Sequence, residues 1–187
     1  MAMIERAIAR EEVLMKHLFL VGILVLSAAA TARAQAPAAV AGDVGVSYSF
    51  LRILEGDGEN LPAGWLASFA GRVTPAVSVV GEVGGNYKSE SGQTLKLHTF
   101  QGGVRVSSGT SVEVRPYAQF LVGGMNLTCC GEGVTHWMVE PGGGVDVPIN
   151  RRTAVRFGVG VPVVFSDGDT SKALRLHAGV VFQLGSR

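Results

Sequence analysis

Alternation of apolar and polar side chains runs along this chain for longer than a soluble sheet requires, and that feature limits what the chain can become. In 76–88, Val77, Val79, Gly81, Val83 and Tyr87 share one parity while Ser78, Glu82 and Asn86 hold the other, with Val80 the exception. In 111–125, Val112, Val114, Ala118, Phe120 and Val122 oppose Glu113, Arg115 and Gln119. In 153–165, Val155, Phe157, Val159, Val161, Val163 and Phe165 oppose Arg156, and in 173–184, Leu174, Leu176, Ala178, Val180, Phe182 and Leu184 oppose Arg175, His177 and Gln183. A period of two puts alternate residues on opposite faces of a strand. No stretch holds the 3.6-residue apolar spacing of an amphipathic helix over a useful length. The pattern predicts strands at 43–52, 65–74, 76–88, 95–107, 111–125, 135–147, 153–165 and 173–184. Most reach the ~9–11 residues that a tilted strand needs to cross a bilayer, where ordinary strands average ~5–6.

The segment before the first strand has a different character. Leu18 to Ala30 is an unbroken run of apolar or small residues, preceded by Lys16 and His17 and followed by Ala32-Arg33-Ala34. A basic flank, a short apolar run and an A-x-A site make a secretory signal peptide. The run falls short of the ~20 apolar residues of a membrane-crossing helix. Cleavage is expected after Ala34, so that 1–34 is the signal region and 35–42 a flexible Ala/Pro-rich lead to a barrel domain at 43–187. Glu5, Glu11 and Glu12 are out of place ahead of a basic flank, which puts the expected translation start at Met15.

Removing 1–34 leaves 153 residues with 12 basic and 12 acidic side chains, a balance that argues against nucleic acid as a partner. Of the 26 glycines, 25 fall in this part, about twice the usual ~7% share and without a collagen period. Glycine in strand-forming sequence fits strands that pass close to one another.

The connections alternate in length. The segments 53–64, 89–94, 126–134 and 166–172 are long; those centred on Thr74-Pro75, Ser108-Gly109-Thr110 and 148–152 are short. With antiparallel neighbours, the long loops gather at one end and the short turns and both termini at the other, as in barrels with tight periplasmic turns and longer external loops. Two further patterns favour an apolar face turned to lipid over one turned to an inner ligand cavity. Phe50, Trp65, Tyr87, Trp137 and Phe165 all fall at the long-loop end of their strands, as an aromatic girdle at a lipid–water boundary demands. The polar face carries Arg72, Arg105, Arg115, Arg156 and Arg175 against Glu82, Glu113, Glu140 and Asp146, a near balance suited to a charge network in a narrow lumen. Pro116, Pro141 and Pro162 interrupt the strands, and Pro141, leading into Gly142-Gly143-Gly144, predicts a bulge.

The segments Arg115-Pro116-Tyr117-Ala118-Gln119, Gly123-Gly124, Pro141-Gly142-Gly143-Gly144-Val145-Asp146 and Ala178-Gly179-Val180-Val181-Phe182 resemble the small outer-membrane β-barrel family of OmpA/OmpX type over roughly 43–184. The resemblance implies an all-β, eight-stranded antiparallel up-and-down barrel in the bacterial outer membrane, in contact with its lipid. It also implies a monomer and insertion by the barrel-assembly machinery, which in this family reads a terminal aromatic; here Phe182 is followed by five more residues. Family members range over structural anchors, adhesion factors and a few lipid-modifying enzymes, so fold does not supply function.

No cofactor site emerges. Gly142-Gly143-Gly144 lacks the Lys-Ser/Thr and helix of a phosphate cradle. Cys129, Cys130, Glu132 and His136 cluster in one loop, but adjacent cysteines are poorly placed to chelate one ion; a strained vicinal disulfide between Cys129 and Cys130 is the alternative. Ser166, Asp167 and Asp169 have no histidine beside them. By parity His98 and His177 point in opposite senses, His177 with Arg175. The expected role is therefore a non-enzymatic barrel with structural or interaction duties and an unidentified external partner. The alternatives are a soluble lipocalin-like barrel around an apolar ligand, whose Gly-x-Trp mark is absent, and an outer-membrane lipid-modifying enzyme.

Overall fold

A computed structural model describes residues 42–55, 58–90, 93–108, 114–129, 132–166 and 169–185. The expected signal region 1–34 and nearly all of the lead lie outside them. Ten extended segments follow in order: β1 (Gly42–Ile53), β2 (Asn60–Leu61), β3 (Ala63–Arg72), β4 (Val77–Glu90), β5 (Gln93–Ser107), β6 (Arg115–Cys129), β7 (Glu132–Pro148), β8 (Thr153–Gly160), β9 (Val163–Ser166) and β10 (Asp169–Leu184). Neighbours pair antiparallel, and β1 pairs with β10 from Gly42↔Leu184 to Ile53↔Ala173, so the sheet closes on itself. Two pairs of segments are single strands with a proline in them, β2 with β3 across Pro62 and β8 with β9 across Pro162. The result is an eight-stranded up-and-down barrel, which satisfies every interior ladder and leaves no edge.

The prolines act in three ways. At Pro62 the register against β1 shifts by one, from Tyr48↔Trp65 to Leu51↔Leu61, so one extra residue sits on the β2–β3 side. This bulge reverses the parity of the strand and turns Leu61 inward although Leu66 also faces inward. The Tyr48 hydroxyl donates to the Pro62 carbonyl and holds it. At Pro162 the register is unchanged on both sides, against β7 and against β10. Only hydrogen bonds are lost there, and the Pro162 carbonyl still accepts from Ala173 N at 2.9 Å. Pro116 is the second residue of β6, where β5 has already ended. The bulge expected at Pro141 is not formed: β7 keeps one register against β6 from Cys129↔Glu132 to Arg115↔Asp146. The Pro141 carbonyl instead meets Val161 N at 2.9 Å, so the proline lies beside the interruption in its neighbour.

The strands also run further than their sequence pattern suggested. Instead of long loops at 89–94, 126–134 and 166–172, two residues separate β4 from β5, β6 from β7 and β9 from β10. Ser, Thr and Asn side chains at these ends bond across the ribbon, as Ser89 Oγ to Thr94 Oγ1 (3.1 Å) and Asn126 Nδ2 to Thr135 Oγ1 (2.9 Å) do. The polar composition that reads as loop is thus a water-facing extension of the ladder. At the other end, which holds the start of β1 and the end of β10, the connections are 73–76, 108–114 and 149–152.

The two faces are sharply different. Val46, Phe69, Val79, Phe100, Phe120, Val159 and Phe182 are each more than two-fifths exposed on the outside. Ser49, Glu82, Asn86, Gln101, Arg105, Glu140, Arg156 and Arg175 are buried inside. An apolar cavity of the lipocalin kind is therefore excluded, because the apolar face is the outer one.

Candidate functional site

The lumen is filled in layers. Nearest the hairpin end, Leu51, Leu61, Leu97, Met125, Met138 and Ala173 pack into one buried cluster, with Ile53, Leu95 and Val164 against it. These residues come from strands all around the wall, so they close the lumen across its width. Sequence parity alone hid this seal, since it described the inner face as polar. The alternation does hold up to this level, but the inward positions change from polar to apolar near the strand ends.

Below the seal Asn86 is buried and donates to the Ser49 carbonyl (3.0 Å) and the Leu61 carbonyl (3.3 Å). Next comes a charged centre. Arg175 Nη1 donates to Glu140 Oε2 at 2.7 Å, with both side chains essentially inaccessible. Gln101 Nε2 bridges the two acids, 2.9 Å from Glu82 Oε1 and 3.0 Å from Glu140 Oε2. One cation and an amide donor therefore serve two carboxylates in a space walled off from water. Pairing offsets much of the cost of such burial, although Gln101 Oε1 and Arg175 Nε are buried without a hydrogen-bond partner among the described residues.

Beyond a small apolar layer of Ala70, Val80 and Leu121 lies a second charged group. Val80, the exception to its strand's alternation, belongs here and faces inward. Arg156 forks onto Asp146, Nε to Oδ1 at 2.7 Å and Nη2 to Oδ2 at 2.8 Å. Arg105 grips Gln119 Oε1 through Nε (3.0 Å) and Nη2 (2.8 Å). Asp43 stands 3.6 Å from both Arg105 Nη1 and Arg156 Nη2. The Tyr117 ring lies between the two guanidinium groups, at 4.8 Å and 5.0 Å from its centroid, and its hydroxyl meets His177 Nε2 at 3.2 Å. An aromatic face between two cations offsets part of their repulsion.

Inward glycines make room for these side chains. A Cβ at Gly160 would strike the Glu140 carboxylate, and one at Gly158 would strike His177 and the Tyr117 hydroxyl. On β7, Gly142 and Gly144 face inward and lie against backbone of β8. Across the triplet a Cβ would meet neighbouring backbone at all three positions, and at Gly144 the Tyr117 hydroxyl as well.

The structure brings together Glu82, Arg105, Glu140, Asp146, Arg156 and Arg175 of the nine expected lumen charges. Asp43, at the very start of β1, joins them and carried no signal in sequence beyond its parity with Ser47 and Ser49. Arg72 and Arg115 are half-buried toward the terminal end and form no ion pair among the described residues. Glu113 lies outside the described residues, as do Cys130 and the side chain of Cys129, so the vicinal disulfide does too. No group of His, Cys, Asp or Glu among the described residues is arranged to hold a metal ion.

On the outer wall Trp137 is the most exposed large side chain at 72%, and it pairs in register with Phe165. Trp65 Nε1 donates to the Tyr87 hydroxyl (3.2 Å), which meets His98 Nε2 at 3.1 Å with the Tyr87 and His98 rings edge to face. Phe50 is half-buried beside them. Other aromatics, Phe69, Phe120, Phe157 and Phe182, are exposed lower on the wall. The residues with a polar handle, Trp and Tyr, gather at the hairpin end, while phenylalanine, which has none, is spread through the apolar belt.

A closed antiparallel barrel with an apolar outside and an ion-paired inside is the fold of a bacterial outer-membrane barrel, lipid on its exterior. Solved structures agree. The chain is similar to Ail, the attachment invasion locus protein of Yersinia pestis, at 14% identity and TM-score 0.55, covering 78% of this chain and 99% of that one. It is similar to Neisserial surface protein A at 14% identity and TM-score 0.57, covering 77% and 96%. It is similar to the outer membrane protein OprG of Pseudomonas aeruginosa at 9% identity and TM-score 0.54, covering 79% and 97%. At such identities the likeness is one of fold. No family model matches the sequence, and no curated protein matches it.

Proposed function

We propose that this chain is a non-enzymatic barrel of the outer membrane whose lumen is a closed structural plug and whose polar hairpins present the interacting surface. Export through a signal segment at 1–34 and insertion by the barrel-assembly machinery belong to the same reading. The observation that carries it is the sealed lumen: Leu51, Leu61 and Met138 have no solvent exposure at all, directly above the buried Arg175–Glu140 pair. A charged plug capped by hydrocarbon offers no hydrated path, and an eight-stranded interior is just wide enough for side chains. Neither His98 nor His177 gives chemistry a foothold. His98 and His177 are each bonded to a tyrosine, and neither is hydrogen-bonded to a serine, threonine or cysteine among the described residues. What remains for an external partner is the hairpin surface, where Lys96, Val134 and Thr170 are exposed.

Recording from planar bilayers containing the purified barrel tests this. No stepwise current is expected from the native chain, whereas steady single-channel steps would overturn the plug.

A further inference from the structure

A groove of about 950 Å³ runs along the outer wall across β3 to β7. Its floor includes Gly81 and Gly102, which pair with each other, and Gly124; its walls include Phe69, Phe100 and Trp137. Gly124 is covered by the Phe100 ring, but Gly81 and Gly102 are different. A Cβ on Gly81 would meet nothing within 4 Å, and one on Gly102 only the Val80 carbonyl oxygen at 3.6 Å, an ordinary contact. Neither has a positive φ. Glycine weakens a strand interior and is kept where a ligand or another backbone comes close. The barrel's own packing asks for no glycine at these two paired positions, and their lack of side chains opens the floor of the groove between Phe69 and Phe100.

The register shows what stands above the groove. Phe100, Gly124 and Trp137 form one row across β5, β6 and β7, and His98, Asn126 and Thr135 form the next row toward the hairpins. Lys96 and Thr128 pair one row further on. All of these share the outward parity. His98 is held by the Trp65–Tyr87 hydrogen bonds, and Asn126 is held by Thr135 and Thr128. The wall thus changes within two rows from hydrocarbon to a cluster with one ammonium, one imidazole, an amide and hydroxyls.

We propose that this face binds one outer-leaflet lipid that carries a phosphate in its headgroup, with an acyl chain over Gly81 and Gly102 and the phosphate at Lys96 and His98. The inference rests on the outer-membrane reading above. Two adjacent glycine-bearing strands make a channel roughly 10 Å across. A helix with its side chains needs about 10–12 Å. A second copy of the barrel is disfavoured because an isologous contact would set this hollow against itself and leave a void. A hydrocarbon chain is flexible, narrow and already the solvent of this wall.

Native mass spectrometry of the full chain, extracted in detergent, tests the proposal with phosphatidylglycerol, with diacylglycerol of the same chains, and with inorganic phosphate. The native barrel is expected to keep a single phosphatidylglycerol adduct, to keep diacylglycerol poorly, and to keep no inorganic phosphate. Gly81→Leu and Gly102→Leu are expected to lose the adduct. Gly71→Leu, at an equally open outward glycine beyond the groove, is expected to retain it. Lys96→Gln combined with His98→Gln is expected to remove the preference for phosphatidylglycerol over diacylglycerol. Gel migration that shifts on boiling shows in each variant that the barrel has closed; loss of that shift in the native chain would strike at the membrane reading itself. A heat-modifiable native barrel with no adduct, an adduct unchanged in both leucine variants, or a mass of two barrels in place of the adduct would each overturn the lipid site.

Discussion

Arg175 shows how much one residue carries in this barrel. It is completely buried and, among the described residues, is the only cation within hydrogen-bond reach of Glu140, which shares the Gln101 amide with Glu82. Arg175→Met would leave two carboxylates in a dry centre with one amide donor between them. Orphaning a buried charge in this way costs about 3–5 kcal/mol, while replacing both members of a pair by hydrocarbon is often neutral. The expected result is a urea midpoint lowered by that amount for Arg175→Met in lipid vesicles, with substantial recovery in the double variant Arg175→Met, Glu140→Met. Equal loss in the double variant would show that shape, not charge, is what Arg175 supplies. Parity in sequence put Arg175 and Glu140 on the inner face, but it could not choose their partners. β7 and β10 flank β8 at that level, and the pair reaches over Gly160 of that strand, a contact set by the register of three adjacent strands.

At the scale of the strand, Pro62 makes the clearest decision. The inserted residue turns Leu61 from the outer to the inner parity and completes the hairpin-end seal. Deleting Pro62 would remove the extra residue and leave Leu61 on the inner parity, so the contribution of Leu61 is tested by Leu61→Ala, which empties its place in the seal. The lost burial of one leucine corresponds to about 1.5–3 kcal/mol. The Leu61→Ala variant should therefore still migrate as a heat-modifiable barrel but unfold at lower urea, and an unchanged midpoint would mean that Leu61 contributes little to the plug. The eight strands themselves were legible from the alternation and from Gly/Pro breaks, and the order of pairing follows from antiparallel neighbours. Their ends were not legible. Segments such as Asn126-Leu127-Thr128 and Thr135 look like loop because water-facing strand and loop share the same polar residues, and only cross-strand hydrogen bonds tell them apart.

For the whole molecule, the question is which side of a closed wall faces lipid. Val159 is 42% exposed on the outer face, midway along the strand that β8 and β9 form together, next in sequence to Gly158 and Gly160, which back onto His177 and Glu140 inside. Arginine at the bilayer midplane of such a barrel costs about 2–4 kcal/mol, and less near either interface. Val159→Arg is expected to reduce recovery of the barrel in the membrane fraction and to lower its stability by that amount, whereas Ile149→Arg, in the connection after β7, should insert normally. Equal behaviour of the two variants would argue that the apolar face is not immersed in hydrocarbon.

Sequence by itself determined the alternation, hence the strands, their number, and the division of residues into one apolar and one polar face, because a period of two is a property of the extended backbone and needs no partner. Tertiary structure alone decided the rest. Closure of β1 on β10 turned two equivalent faces into an inside and an outside. Closure also placed Asp43 between Arg105 and Arg156 and gathered Leu51, Leu61, Leu97 and Met138 into a lid, while the register of β7, β8 and β10 brought Arg175 to Glu140 over Gly160. Those contacts join residues far apart in the chain, and no local pattern encodes a distance that exists only after the sheet has met its own edge.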